Sequence, residues 1–251
     1  MTSIPAWTAL SDKLGAAALD IFNTANVPVT ATGFADEKVL ALTLLARTWS
    51  NCRSAMLLLR ERHIVEARTI TRCCYENLYW IVGLAEEGEA FVRKMRDDEM
   101  SHRKQLRQFM FDNGITLEAD VEDRLRTWLR TTNRSFANAK MLYPKQVAAL
   151  SDIGRSYIFY SQLSSDAAHP SVTALNRYVV PHTADEIGGI DVNPIVKDKE
   201  IEETLELLCQ AVIGVCIGVN QILGGTEGRA KLNSLADEYV ALSSRSAARA
   251  A

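Results

Sequence analysis

Two long segments of this sequence are apolar around almost the whole circumference of a helix, and they constrain the fold more than any other feature. One is Val65–Ala85, where only Glu76 and Asn77 are strongly polar from Cys73 onward. The other is Asp198–Leu223, which carries aliphatic side chains at helical spacing. A helix that is apolar nearly all round is normally buried. The two segments therefore predict a pair of central helices.

Apolar residues at helical spacing also predict amphipathic helices elsewhere, whereas no segment shows the sustained alternation that is typical of strands. Val180–Pro194 contains two prolines and a Gly-Gly pair, which predict a loop or small hairpin. The fold class is therefore all-α, a single helical bundle with two buried central helices. The remaining predicted helices are Pro5–Asn23, Ala35–His63, Glu87–Asn113, Leu117–Ala139, Asp152–Ala168 and Arg229–Leu242.

No internal repeat or linker divides the chain, so we expect one domain overall. Within it, residues 1–33 form an N-terminal helix and connection, 34–224 the core of the bundle, and 225–251 a C-terminal helix with a frayed tail. A hydrophobic content of 47% suffices for a large core, and a net charge of −3 excludes a global basic field for nucleic acid. The five cysteines form no Cys-x-x-Cys pair, which favours buried free thiols.

The sequence predicts a soluble, cytoplasmic protein. Residues 1–10 lack the basic and apolar regions of a signal peptide. The longest apolar run, Leu207–Val219, is shorter than the roughly 20 residues that a membrane span needs. Gly214 and Gly218 within this run would let another helix approach closely, which in a soluble protein is a packing feature.

Two rows of polar residues interrupt segments that otherwise look packable. Arg68, Arg72 and Glu76 follow one another at intervals of four and therefore share one helical face. A buried arginine or glutamate is costly unless it is paired, so we expect the two rows to meet in one polar network that contains Glu76 and His169. This network either fixes helix register or forms a ligand-binding or catalytic pocket, since a histidine with a carboxylate suits acid–base chemistry. The second row consists of Tyr157, Ser161, Ser165 and His169, with Ser171 after Pro170.

The segments Arg68–Glu76 and Ser164–Ser171, together with Arg177–Val179, resemble the hallmark stretches of an uncharacterised bacterial helical family, domain of unknown function family 5677. The resemblance extends over about Val39–Leu223 and implies a helical bundle. It brings no established activity, so it implies neither a substrate nor a cofactor. It marks these positions of interest: Arg72, Glu76, His169 and Ser171.

A second pattern is similar to the spaced Arg and His motif of the HEPN ribonucleases, which are helical and cleave RNA without a metal. In this interpretation His102 is the acid–base group and Arg96 stabilises the phosphate charge. The acidic residues between them argue against phosphate binding. Glu99 and His102 have the spacing of half a di-iron site, but the chain lacks the second Glu-x-x-His that such a site needs. We therefore expect no metal and no cofactor.

A basic stripe lies on the helix after Leu117, where Arg126, Arg130 and Arg134 share one face near Trp128. It is either a solvated face or a docking surface for an acidic partner or RNA. The favoured hypothesis is a helical-bundle module that binds a protein partner or a small ligand through the polar network, with a homodimer as a further option. The alternative is a HEPN-like endoribonuclease that uses Arg96 and His102.

Overall fold

The computed structural model confirms an all-α bundle, with 78% of the residues in helices. It describes residues 3–31, 33–183, 187–225 and 227–250. The α-helices are α1 (Ile4–Thr24), α2 (Glu37–Arg60), α3 (Ile64–Glu87), α4 (Glu89–Asp112), α5 (Ala119–Ser135), α6 (Pro144–Ala148), α7 (Tyr157–Leu163), α8 (Val172–Leu175), α9 (Asp198–Ile222) and α10 (Glu227–Ala250). Three short 3₁₀ turns (Gly33–Ala35, Asp152–Ser156 and Asn176–Tyr178) and one π-helical turn (Ser164–Ala168) complete the helical structure of the described residues.

Helices α3 and α9 form the centre of the bundle, as predicted, and α1, α2 and α10 pack around them. Each central helix buries side chains along most of its length. Gly214 and Gly218 of α9 lie directly against side chains of α3. A Cβ atom at Gly214 would lie 2.8 Å from Cδ1 of Leu78, and one at Gly218 would lie 2.4 Å from Cγ2 of Ile81. The close approach predicted for these glycines is thus formed within the core.

Helices α4 and α5 form a two-helix arm beside this core. Among the described residues of α4 only Phe91 and Val92, at its start, are buried, and among those of α5 only Thr132 is buried. Farther out, α5 packs on one face of α4 through two stacked arginines. The guanidinium of Arg107 lies 3.4 Å from the ring centre of Trp128, and that of Arg126 lies 4.5 Å from the ring centre of Phe111.

A small hairpin forms where the sequence predicts one. Strands β1 (Val179–Val180) and β2 (Gly189–Ile190) pair antiparallel, with Val179 opposite Ile190. The last helix, which the sequence predicts to end at Leu242, continues to Ala250 as α10. Alanine and arginine favour the helical state, and Arg245 donates back to the carbonyl oxygen of Ala241, which extends the helix.

Helix α9 is long and apolar enough to cross a membrane when length and composition alone are considered. In the bundle, 56% of its apolar window is buried against the other helices. Central helices of helical domains commonly have the same length and composition. The five cysteines are free, and four of them are buried, in agreement with the expectation from the sequence.

Candidate functional site

The polar row of α3 faces α7 and the π-helical turn that follows it. Glu76 is held by two donors, since Arg72 Nη2 and the Tyr160 hydroxyl each lie 2.9 Å from its Oε1. Arg72 also donates to the Tyr160 hydroxyl over 2.7 Å and, through Nε, to Ser164 Oγ over 2.7 Å. The Arg72 guanidinium lies over the ring of Tyr160, 4.8 Å from its centre. These four side chains form one connected network.

Arg68 continues the row at the other end of the network. Its Nε donates to Thr204 Oγ1 of α9 over 3.1 Å. Its Nη1 pairs with Asp166 in the π-helical turn, and its Nη2 lies 3.8 Å from Glu203. The predicted face of α3 is therefore formed, and its two arginines tie α3 to α7, the π-helical turn and α9.

The second polar row differs from the prediction. The side chains that join Arg72 and Glu76 are Tyr160 and Ser164. Each lies one position away from the expected Ser161 and Ser165, both of which are exposed. Tyr160 and Leu163 are the buried residues of α7, so the apolar face fixes which side of the helix turns inward. In the sequence, the spacing of Tyr160, Leu163 and Ser164 at intervals of three and four indicates that these residues share the inward face. Tyr157 is half-buried, and its ring stacks on that of Tyr160.

His169 lies at the surface, just after the π-helical turn. No side-chain hydrogen bond or ion pair to it occurs in the described part of the chain, so its side chain and that of Glu76 are not directly paired. The link between them runs through the backbone, because the His169 N–H donates to the carbonyl oxygen of Ser164. The residue before a proline is disfavoured in the helical conformation, and His169 is correspondingly extended beside Pro170.

Ser171 has a structural role at the start of α8. Its hydroxyl accepts from the N–H of Ala174 over 3.1 Å, which caps the helix. The same hydroxyl donates to the carbonyl oxygen of Ser165 over 2.6 Å. Ser171 therefore joins the π-helical turn to α8.

A pocket of about 270 Å³ opens at the Glu76 end of the network. We name it the Glu76 pocket. Its polar lining comes from three helices, with Arg47 on α2, Glu76 and Asn77 on α3, and Asp98 and His102 on α4. Its apolar lining consists of Leu44, Trp80, Leu142 and Pro144.

The sequence pattern predicts His102 as the acid–base group of a ribonuclease, whereas in the structure it lines the Glu76 pocket. Its Nε2 lies 3.6 Å from Oδ1 of Asp98, whose carboxylate also accepts the N–H of Leu142 over 2.7 Å. Arg96 is exposed and does not line this pocket. Six positions on a helix correspond to a rotation of about 240°, so Arg96 and His102 point in different directions. Arg47 and Asp98 were missed, because no local pattern reveals that α2 and α4 converge on Glu76.

Burial controls the protonation of the network's tyrosine. It raises the pKa of the Tyr160 phenol, and the neighbouring Glu76 carboxylate raises it further, while Arg72 opposes the shift. The phenol is therefore protonated at neutral pH and can donate to Glu76. Burial likewise raises the pKa of the nearby Tyr79 to about 12.

Arg126 of the basic stripe and the neighbouring Arg124 are each paired with an acidic residue of the same helix. Arg126 pairs with Glu122, and Arg124 with Asp120, each four positions earlier. Within the described ranges, no three His, Cys, Asp or Glu side chains come together as metal ligands would.

Residues 38–187 match a family of unknown function, DUF5677. The chain belongs to this family. The match confirms the resemblance drawn from the sequence, and it includes all of α3, α7 and the π-helical turn. No curated protein and no solved structure matches the chain. Family membership thus supports the domain and its helical segments, but it carries no activity.

Proposed function

We propose that this DUF5677 protein is a ligand-binding helical module whose Glu76 pocket takes a small polar molecule. The observation that supports the proposal is the convergence of four ionisable side chains, Arg47, Glu76, Asp98 and His102, from three separate helices. Concave sites with a few convergent polar groups and apolar walls are the usual form of small-ligand sites.

The chemistry of the lining suggests the kind of ligand. Arg47 and His102 offer donors, while Glu76 and Asp98 offer acceptors. The side chains of Trp80 and Leu142 provide flat and aliphatic contact surface. A volume of about 270 Å³ lies just below the usual range for drug-sized ligand sites, so the pocket suits a smaller molecule. A compact molecule with both donor and acceptor groups, such as an amino acid or a hydroxy acid, fits this set.

The network behind Glu76 supports this role by fixing the carboxylate. Two donors, Arg72 and Tyr160, bind the same oxygen atom, Oε1. This leaves Oε2 without a partner from either of them. A carboxylate that is already oriented loses less conformational freedom when a ligand binds. The polar row thus acts as a positioning device for the pocket.

The test is a ligand-observed NMR screen with a panel of amino acids, hydroxy acids and polyols. We expect at least one compound to bind the wild-type protein and to bind Glu76→Gln about tenfold more weakly, equivalent to about 1.4 kcal/mol. Glu86→Gln, at an exposed position of the same helix, is the matched control and should bind normally. A panel without any binder, or binding that Glu76→Gln leaves unchanged, would contradict the proposal.

The HEPN-like ribonuclease is the alternative, and the same protein can test it. Purified protein is incubated with mixed RNA in the absence of divalent metal, and wild type is compared with His102→Ala and His169→Ala. Our proposal expects no cleavage by any of the three proteins. Cleavage that disappears with His102→Ala and persists with His169→Ala would establish the ribonuclease instead. A protein partner and a cytoplasmic location are further proposals that rest on the sequence.

A further inference from the structure

The hairpin between α8 and α9 exposes an unusual concentration of aliphatic side chains. Ile187, Val192 and Ile195 are 91%, 89% and 88% exposed. Val179, Val180 and Ile190 of the two strands are exposed as well. We name these six residues the hairpin patch. Single exposed aliphatic residues are ordinary on protein surfaces, but a group of this kind within one short segment marks an interaction surface.

The hairpin is fastened to the bundle at its base. On one side, Arg177 pairs with Glu200 of α9. On the other, Arg62 donates to the carbonyl oxygen of Val196 over 2.7 Å. Between these points both strands are exposed along their length. A two-stranded hairpin is marginally stable by itself in water, so this one lacks the packing that would normally support it.

The geometry points to a second copy of this chain as the partner that covers the hairpin patch. In the described residues 179–183 and 187–196, Asp191 is the only charged side chain, and His182 is the only other ionisable one. With Asp191 as its one charged side chain, this surface offers little for an acidic or basic partner to pair with. Two identical copies can meet about a twofold axis with only the two Asp191 carboxylates as like charges. Residues 184–186 lie outside the described residues and are not part of this inference.

The exposed area is sufficient for such an interface. Burying a whole aliphatic side chain contributes about 1.5–3 kcal/mol, at about 25 cal/mol for each Å² of apolar surface. A fully exposed aliphatic side chain therefore presents roughly 100 Å². Val180 lies on the opposite face of β1 from Val179, and the other five residues of the hairpin patch together present roughly 400 Å². Apolar atoms make up about 60% of the area of an interface. An interface with this apolar area would therefore cover roughly 650–700 Å² on each copy. Specific complexes bury about 600–1,000 Å² per partner, so the hairpin patch reaches the lower part of this range.

Analytical ultracentrifugation over a wide concentration range tests the inference. We expect a reversible dimer for the wild type, and a dissociation constant at least about tenfold higher for Ile190→Asp/Val192→Asp, since each copy would bring buried charges to the interface. Leu57→Asp is the matched control, because Leu57 is an exposed aliphatic residue of α2, and this variant should dimerise normally.

A milder variant, Val192→Ser/Ile195→Ser, keeps the test decisive if the charged variant loses its fold by circular dichroism. It should also weaken the dimer. A wild type that stays monomeric at the highest concentration would overturn the inference. So would a dimer that neither folded hairpin variant weakens. The result is independent of the Glu76 pocket, because no residue of the hairpin patch lines it.

Discussion

Helices α3 and α4 have the same length, 24 residues, and follow each other directly, but they use charged residues in opposite ways. The charged side chains of α3 that face inward are half-buried and contact other elements, as Arg68 does with Asp166 and Arg72 with Tyr160. Those of α4 mostly pair with residues four positions away on the same helix, as Arg103 does with Glu99.

This difference separates two effects that look alike in a sequence. A pair within one exposed helix stabilises it by only about 0.3–0.5 kcal/mol, because solvent screens the charges. A half-buried arginine that bridges helices satisfies several partners at once, and its removal leaves them unpaired. The charges of α3 therefore contribute to the tertiary structure, whereas those of α4 mainly keep the arm solvated.

The largest contrast is expected for a charge placed on the apolar residues of each helix. Ile81→Asp in α3 should lower the free energy of unfolding by several kcal/mol, because Ile81 is fully buried and contacts α9. Leu106→Asp in α4 should change it by less than about 0.5 kcal/mol, because Leu106 is 63% exposed. Urea unfolding measures both. Equal destabilisation by the two variants would remove the distinction between core and arm.

An intermediate contrast is expected for the two arginines. Arg72→Met should cost about 1–3 kcal/mol, because it leaves Glu76, Tyr160 and Ser164 without their common donor. Arg103→Met should cost at most about 0.5 kcal/mol, since its pair with Glu99 is exposed. Double-mutant cycles of Arg72 with Glu76 and of Arg103 with Glu99 check the difference. If the second coupling energy equals the first, the network on α3 is no stronger than a surface pair.

The smallest effects are expected for the two histidines. His102→Ala and His169→Ala should each change the thermal midpoint only slightly, because both side chains are exposed and neither has a close hydrogen-bonding partner among the described residues. The small effect expected at His169 follows from its exposed position outside the side-chain network that the sequence predicts for it. Ser171→Ala should destabilise more than either, by about 1 kcal/mol, because it removes a helix cap. A histidine variant that melts well below Ser171→Ala would contradict this order.

Much of the fold was predictable, because helical periodicity is a local property. The spacing of apolar residues located α3 and α9 to within a few residues and identified them as central. The row Arg68–Arg72–Glu76 was also predictable, since i, i+4 and i+8 on a regular helix must share a face. The polar row on α7 was not predictable, because the burial of Tyr160 and Leu163 decides which face of α7 turns inward. The π-helical turn that begins at Ser164 then changes the helical spacing on which the position of His169 was predicted.

The sequence by itself determined the helical class, the two central helices, the polar face of α3 and the family. The partners of that face were decided only by the tertiary structure. Arg47, Glu76 and His102 lie on three different helices, and nothing in the local pattern of any one helix records the approach of the other two. Side-chain spacing is fixed by the geometry of one helix, but a pocket depends on how several helices pack, which follows from burial over the whole bundle.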